Sequence, residues 1–240
     1  MSLANLMMQA RDPHTLGRFW TEALGLTVLA DEPAWFRGRL SLGAGAFLDV
    51  CIEPVATPPA LDQRLHLDLL GGPRQAEIVE RLIGLGARRL DIGQHDVPWV
   101  VLADPDGHPF CVMEERAAYR STGPIAALVL ECGEPHREAA GYAALSGWVP
   151  AEGVAPATLR HPAGVGPLLE FTPQRRPKDR QNRTHLDIRP DPGGPDQAAL
   201  VALARDLGAA PVTADWAYGH PWVVLQDLSG NEFCVLADGE

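Results

Sequence analysis

The chain has 240 residues, 46% of them hydrophobic, and a formal net charge of −11. That length holds two domains of roughly 120 residues each, and the acidity excludes the basic surface that nucleic-acid phosphates require. No apolar run reaches the ~18 residues of a membrane span, and no basic stretch followed by an apolar one marks a signal peptide at the N-terminus.

In chain order, a strand is predicted over Leu3–Ala10. Asp12-Pro13 then opens a helix whose apolar residues Leu16, Phe19, Trp20, Ala23 and Leu24 share one face, with Gly25 as its left-handed stop. Strand signals follow at 26–29, 37–42 and 46–52. The same grammar restarts with a strand at 65–70 and a helix opened by Pro73, carrying Ala76, Val79, Leu82 and Ile83 and closed by Gly86. Strands at 88–92, 99–102 and 110–114 complete this second quarter. Quarter three has a strand at 125–132 and a helix from Pro135 to Ser146 stopped by Gly147; quarter four has a strand at 185–189 and a helix from Pro195 to Leu207 stopped by Gly208. Each quarter therefore reads β-α-β-β-β.

The two halves also share text. Trp99-Val-Val-Leu102 and Phe110-Cys-Val112 return as Trp222-Val-Val-Leu225 and Phe233-Cys-Val235, and His66-Leu-Asp-Leu69 returns as His185-Leu-Asp-Ile188. A period near ~120 residues is a domain and not a solenoid unit. The expected organisation is a domain over 1–118, a joint at 119–124 with Ser-Thr-Gly-Pro turn chemistry, and a domain over 125–240. The segment 172–183, with two prolines and six charged residues, reads as a solvated loop. Cys51, Cys111, Cys132 and Cys234 form no Cys-x-x-Cys pair, so free thiols and a cytoplasmic location are expected.

Four such quarters resemble the vicinal oxygen chelate superfamily, the glyoxalase / bleomycin-resistance / dioxygenase fold. Ala139-Ala-Gly-Tyr-Ala-Ala-Leu-Ser-Gly-Trp148 is similar to that family's first helix and its glycine stop, and Asp104-Pro-Asp-Gly-His-Pro-Phe-Cys111 to its last hairpin. The resemblance implies an α+β fold of two tandem glyoxalase-like domains, each of two β-α-β-β-β modules, whose curved mixed sheet makes a cup. Whether modules pair within a half or between halves stays open.

Metal-dependent members carry ligands on the first and last strands of each quarter. The resemblance places Asn5, Asp49, His66 and Cys111 at such positions in the first half, and Ala127, Glu170, His185 and Cys234 in the second. Both sets depart from the metal-enzyme pattern, with cysteine where a final glutamate belongs and an alanine that ligates nothing. A catalytic divalent ion needs three protein ligands and an open position, so no metal is expected. If one binds (zinc, nickel, iron or manganese), His66, Asp49, His185 and Glu170 are its expected holders.

The residues also have plainer readings. Strand alternation puts His66 with Asp68, and His185 with Asp187, on one face, which suits a hydrogen-bonded histidine as well as a base. Cys111 and Cys234 sit in apolar text and read as buried thiols. Asp49 and Glu170 end apolar runs, where a carboxylate is costly unless paired or wet. Trp35, Trp99, Trp216 and Trp222, with Phe36 and Tyr218, can rim a cup or pack under a hairpin. His95, His108 and His220 read as solvent-facing, with His220 near Trp222 also placed to rim a site. Cup linings are expected as Asn5, Asp49, His66 and Asp68 in one half and Glu170, His185 and Asp187 in the other. The second is favoured for ligand because Ala127 leaves space and Trp216, Tyr218 and Trp222 lie nearby.

Two functions follow from the resemblance, beside a third reading, a scaffold whose cups are vestigial, that fits Ala127. One is metal-free binding of a small aromatic or cationic molecule by a monomer or homodimer. The other is a metal-dependent lyase or isomerase resembling glyoxalase I.

Overall fold

The computed structural model describes residues 1–56 and 63–239. Quarter one comprises β1 (Ser2–Ala10), α1 (Pro13–Leu24), β2 (Thr27–Glu32), β3 (Trp35–Gly43) and β4 (Ala46–Pro54). Quarter two comprises β5 (Leu65–Leu70), α2 (Gln75–Gly84), β6 (Arg88–Arg89), β7 (Val100–Ala103) and β8 (Pro109–Met113). Quarter three comprises β9 (Ile125–Cys132), α3 (Pro135–Ser146), β10 (Val149–Pro150), β11 (Ala157–Arg160) and β12 (Leu168–Pro173). Quarter four comprises β13 (Thr184–Arg189), α4 (Gln197–Asp206), β14 (Ala210–Pro211), β15 (Val223–Gln226) and β16 (Glu232–Val235). The four repeats of β-α-β-β-β are present, and His66 and His185, like Cys111 and Cys234, occupy equivalent strands.

Helix ends follow local chemistry. Asp12 caps α1 by accepting from the Thr15 N–H, and Gly25 closes it at φ 73°. A cap of this kind stabilises by about 1 kcal/mol. Gly17 in α1 permits close packing, since a Cβ there would stand 2.2 Å from the Phe36 ring. The fourth helix starts later than its proline suggests, because Asp196 is the residue whose side chain caps it, through the Ala199 N–H. Pro73 sits in a 3-10 turn (Gly72–Arg74) ahead of α2.

The open question of module pairing resolves between halves. One sheet runs β14-β15-β16-β13-β1-β4-β3-β2, joining quarters four and one; the other runs β10-β11-β12-β9-β5-β8-β7-β6, joining quarters three and two. The seams are antiparallel, β1 to β13 and β5 to β9. We call the concave face of the first sheet the outer cup and that of the second the inner cup.

Within a half, the helices and hairpins hold the two quarters together. Trp20 of α1 packs edge-on against Phe110 of β8, and its Nε1–H donates to Asp104 in the turn before that strand. The second half repeats this with Tyr142 of α3, Phe233 of β16 and Asp227. Alternation explains the layering: Leu67, Leu69 and Leu186 point into the apolar core shared by both sheets, which leaves the intervening polar residues for the cups.

Candidate functional site

A single cross-strand row defines the outer cup. In register from β3 to β16 it reads Arg39, Asp49, Asn5, Asp187 and Cys234. The corresponding row of the inner cup, from β11 to β8, reads Arg160, Leu168, Ala127, Asp68 and Cys111. Asp187 and Asp68 are thus equivalent, as are the two cysteines. The expected match of Asp49 with Glu170 is corrected: Leu168 stands where Asp49 does, and Glu170 lies two residues further along, opposite Val129. A slip of two keeps a side chain on the same face, so the Phe-Leu-Asp and Leu-Leu-Glu texts look equivalent without being so.

The expected cup linings regroup accordingly. Asn5 and Asp49 share the outer cup with His185, Asp187 and Cys234, while His66, Asp68 and Cys111 share the inner cup with Ala127 and Glu170. Trp216 and Trp222 belong to the outer cup, so the space left by Ala127 is not the space they border. Tyr218 is 61% exposed and lies outside the outer-cup lining. His108, expected at the surface, is buried beside Asp104, which also accepts from the backbone N–H groups of Asp106, Gly107 and His108.

Neither of the carboxylates first singled out is free to ligate. Asp49 is fully buried and receives both guanidinium groups of β3, Arg37 at 2.7 and 2.9 Å and Arg39 at 2.7 and 2.8 Å. Glu170 accepts the Val154 N–H at 3.0 Å and the Tyr119 hydroxyl at 3.2 Å. Burial, with Asp68 nearby, holds Glu170 above the ordinary carboxylate range despite these donors. Tyr119 comes from the joint between halves and is fully buried, in one apolar cluster with Cys111, Ala127 and Leu168. It fills the space that Ala127 leaves. The joint therefore reaches into the inner cup at its first residue, a placement its turn chemistry did not signal.

At each cup floor a His, an Asp and a Cys converge, with one donor atom of each within 4.8 Å of the others. In the outer cup His185 Nε2 stands 3.4 Å from Cys234 Sγ and 3.4 Å from Asp187 Oδ1. Both neighbours face the same ring nitrogen, which offers one proton or one lone pair. This is not a nucleophile relay, in which the carboxylate holds the opposite nitrogen. Asn5 fixes Asp187 by donating to Oδ2 at 3.0 Å. Asp187 Oδ1 and Asn5 Oδ1 are buried without a hydrogen-bond partner among the described residues.

The fit of these donors to a divalent ion divides. The set containing Asp49 does not fit, because both of its oxygens are held by arginines. The set His185, Asp187 and Cys234 does: ligand atoms around a tetrahedral zinc with bonds of ~2.0–2.3 Å stand ~3.3–3.6 Å apart, and an orphaned carboxylate oxygen points into the group. Asp187 and Asp68, two residues past each histidine, replace the carboxylates expected from sequence.

Protonation is set by burial. Desolvation raises the Cys234 thiol to about 11, with His185 working against that rise, so sulfur is neutral near pH 7. Burial opposes charge on His185, but a hydrogen bond accepted by the Cys234 sulfur and the Asp187 carboxylate outweigh it and raise this imidazole well above its usual value. His66 is raised likewise, burial being overcome mainly by Asp68.

The open end of the outer cup is a cavity of about 440 Å³. Its walls are aromatic: Trp35, Trp216 and Trp222, the last stacked on His220 with centroids 4.5 Å apart and planes 5° from parallel. Asp187, His185 and Cys234 line it as well, and its charged lining holds Glu53 together with Arg37 and Arg189. Sequence reading missed Glu53, and it missed Arg37 and Arg39, although alternation with Phe36, Gly38 and Leu40 puts both arginines on the cup face.

A family profile, Glyoxalase-like domain, matches residues 5–113 and again 127–236. No protein of curated function matches the sequence. Among solved structures, the chain is similar to glyoxalase I from Zea mays, with 14% identity, a TM-score of 0.61, and 98% of this chain and 92% of that one covered. It is also similar to a putative dioxygenase from Bacillus subtilis subsp. subtilis str. 168, with 14% identity, a TM-score of 0.59, and 100% and 86% covered.

Proposed function

Because the chain belongs to the glyoxalase-like domain family, carrying two copies of that domain, we propose that its outer cup binds a small aromatic or cationic molecule without a metal. The observation that carries this reading is the cavity of about 440 Å³, walled by three tryptophans and floored by Asp187. Its volume is that of a small-molecule site. Tryptophan faces attract cations and stack on flat rings, and the carboxylates of Asp187 and Glu53 offer acceptors to a cationic group, next to Arg37 and Arg189 in the same lining. The withdrawal of Asp49 by two arginines supports the metal-free form.

A screen of cationic aromatic compounds by tryptophan quenching tests this. A binder should lose about tenfold or more in affinity in Asp187→Asn and Trp222→Ala, and keep it in Glu170→Gln, which alters the other cup. Unchanged affinity in both outer-cup variants removes the outer cup as the site.

A second reading, a metal-dependent lyase or isomerase, is favoured by the convergence of His185, Asp187 and Cys234. These three residues would hold the ion, with Asn5 keeping Asp187 oriented. When bound, such an ion supplies Lewis-acid polarisation of a substrate oxygen. Metal analysis of protein purified without chelator separates the readings: a stoichiometric ion lost in His185→Ala favours the enzyme.

A further inference from the structure

The inner cup is not filled throughout. Tyr119 occupies the end near Glu170; at the other end a separate cavity of about 510 Å³ reaches down to His66 and Cys111. Its lining is unlike that of the outer cup. Ile92, Val101 and Pro109 form an apolar side, and the rim carries Arg175, Arg176 and Arg180 against one carboxylate, Glu131. In a chain of net charge −11 this is a local concentration of positive charge.

The arginine loop is held in place from below. Arg64 is 2% exposed, and its guanidinium donates to Gln174 Oε1 at 2.9 Å and to the carbonyl of Arg176. A buried cation thus spends its bonds on neutral oxygens of the loop, fixing the loop over the cup and adding its own charge to the field there. Beside it, both amide atoms of Gln63 are buried without a hydrogen-bond partner among the described residues. An unsatisfied buried amide costs about 1–3 kcal/mol, and a ligand oxygen and hydroxyl at this cavity would satisfy it. The carboxylates near the arginines are weak competitors. Arg175 meets Glu131 at 3.2 Å with 71% of its side chain exposed, and Arg180 meets the adjacent Asp179 at 3.4 Å with 54% exposed. Exposed pairs of this kind contribute about 0–1 kcal/mol.

We propose that the inner-cup cavity is a second binding site, for a small organic anion whose carboxylate or phosphate meets Arg175, Arg180 and Gln63 and whose apolar body lies along Ile92, Val101 and Pro109. Guanidinium groups suit both headgroups, since their planar donors engage two oxygens at once. The two cups then take ligands of opposite character, which the repeat in sequence would not suggest.

Calorimetric titration with benzoate, phenyl phosphate and benzyl alcohol tests the site on the full chain. The expected result is binding of benzoate or phenyl phosphate at millimolar concentration or below, weakening as salt is raised, with no binding of benzyl alcohol. The benzoate and phenyl phosphate arms distinguish the two headgroups. Arg175→Gln with Arg180→Gln should lower affinity about tenfold and leave the melting temperature unchanged, both side chains being largely exposed. Gln63→Leu should lower it less, and Trp222→Ala in the outer cup should not change it. Benzyl alcohol binding as well as the anions, full affinity in the double arginine variant, or no anion bound at millimolar concentration would each overturn the proposal.

Discussion

The outer and inner cups are built from the same repeated text, yet they are finished differently. Each floor has a His-x-Asp strand beside a Phe-Cys-Val strand, and each row places the aspartate next to the cysteine. Around that shared floor, the outer cup has Asn5 and the Asp49–arginine cluster, and it opens between tryptophans. The inner cup has Ala127 and Leu168 in those places, and the joint between halves inserts Tyr119 over them. The lesson is that duplication preserves the strand floor, where sheet register constrains every residue, and releases the positions around it. Polar residues at the outer positions are held by counter-charges, whereas apolar ones at the inner positions are covered by a side chain of the same molecule.

The largest effect should come from stripping the outer cluster. Removing both partners of a fully buried carboxylate leaves an uncompensated charge, a cost of about 3–5 kcal/mol. Arg37→Ala with Arg39→Ala should therefore lower stability by that amount in urea unfolding. Adding Asp49→Leu, which copies the inner cup's Leu168, should restore most of it. If the double variant is as stable as the parent, the cluster is not what holds Asp49 in the sheet.

Opening the inner cup comes next. Tyr119→Ala removes a fully buried ring and a hydrogen bond to Glu170, for a loss of about 3 kcal/mol. Tyr119→Phe keeps the ring and should cost about 1 kcal/mol. Equal losses in the two variants would mean that the hydroxyl, and not the filling of space, is what the joint contributes.

A smaller, pH-dependent effect sharpens the comparison of the two halves on their helical sides. Asp104 in the first half faces Trp20 and His108, whereas Asp227 in the second faces Tyr142 and Asn231 and also lies near Glu138 of α3. Burial, reinforced by their mutual repulsion, lifts Glu138 to about 7, and burial lifts Asp227 to about 6. Because both are raised in the folded state, that state binds protons more tightly than the unfolded chain. Stability from this pair is complete below the usual carboxylate range and falls as pH rises from about 4 through 7. Glu138→Gln should flatten this slope and add roughly 1–3 kcal/mol at pH 8, read from melting curves across pH. A steeper slope in the variant would contradict the account.

Much of this was legible in the sequence because it is local. The first two helices follow from apolar spacing, the other two from their prolines and glycine stops, and the cup-facing aspect of His66 and His185 from alternation by two. What was not legible depends on contacts distant in sequence. Pairing of β1 with β13 and of β5 with β9 is a choice among similar strands that no local pattern records. The offset of Glu170 from Asp49 is invisible to a period of two. Tyr119 looks like part of a joint until the sheet it enters is known. The end of the loop before β13 looks solvated, yet Asn182 and Arg183 are buried there, Arg183 on Asp106 of the other half's turn.

The central claim is that the outer cup receives the small molecule. Its most direct test is fluorine NMR of protein labelled with 5-fluorotryptophan, titrated with the best binder from the quenching screen. The chain has six tryptophans, which makes the spectrum resolvable residue by residue. The account predicts saturable shifts of Trp35, Trp216 and Trp222, which line the outer cup, with Trp99 beside the inner cup and the buried Trp20 and Trp148 unmoved. Saturable movement of Trp99 with the three outer tryptophans unchanged would contradict it.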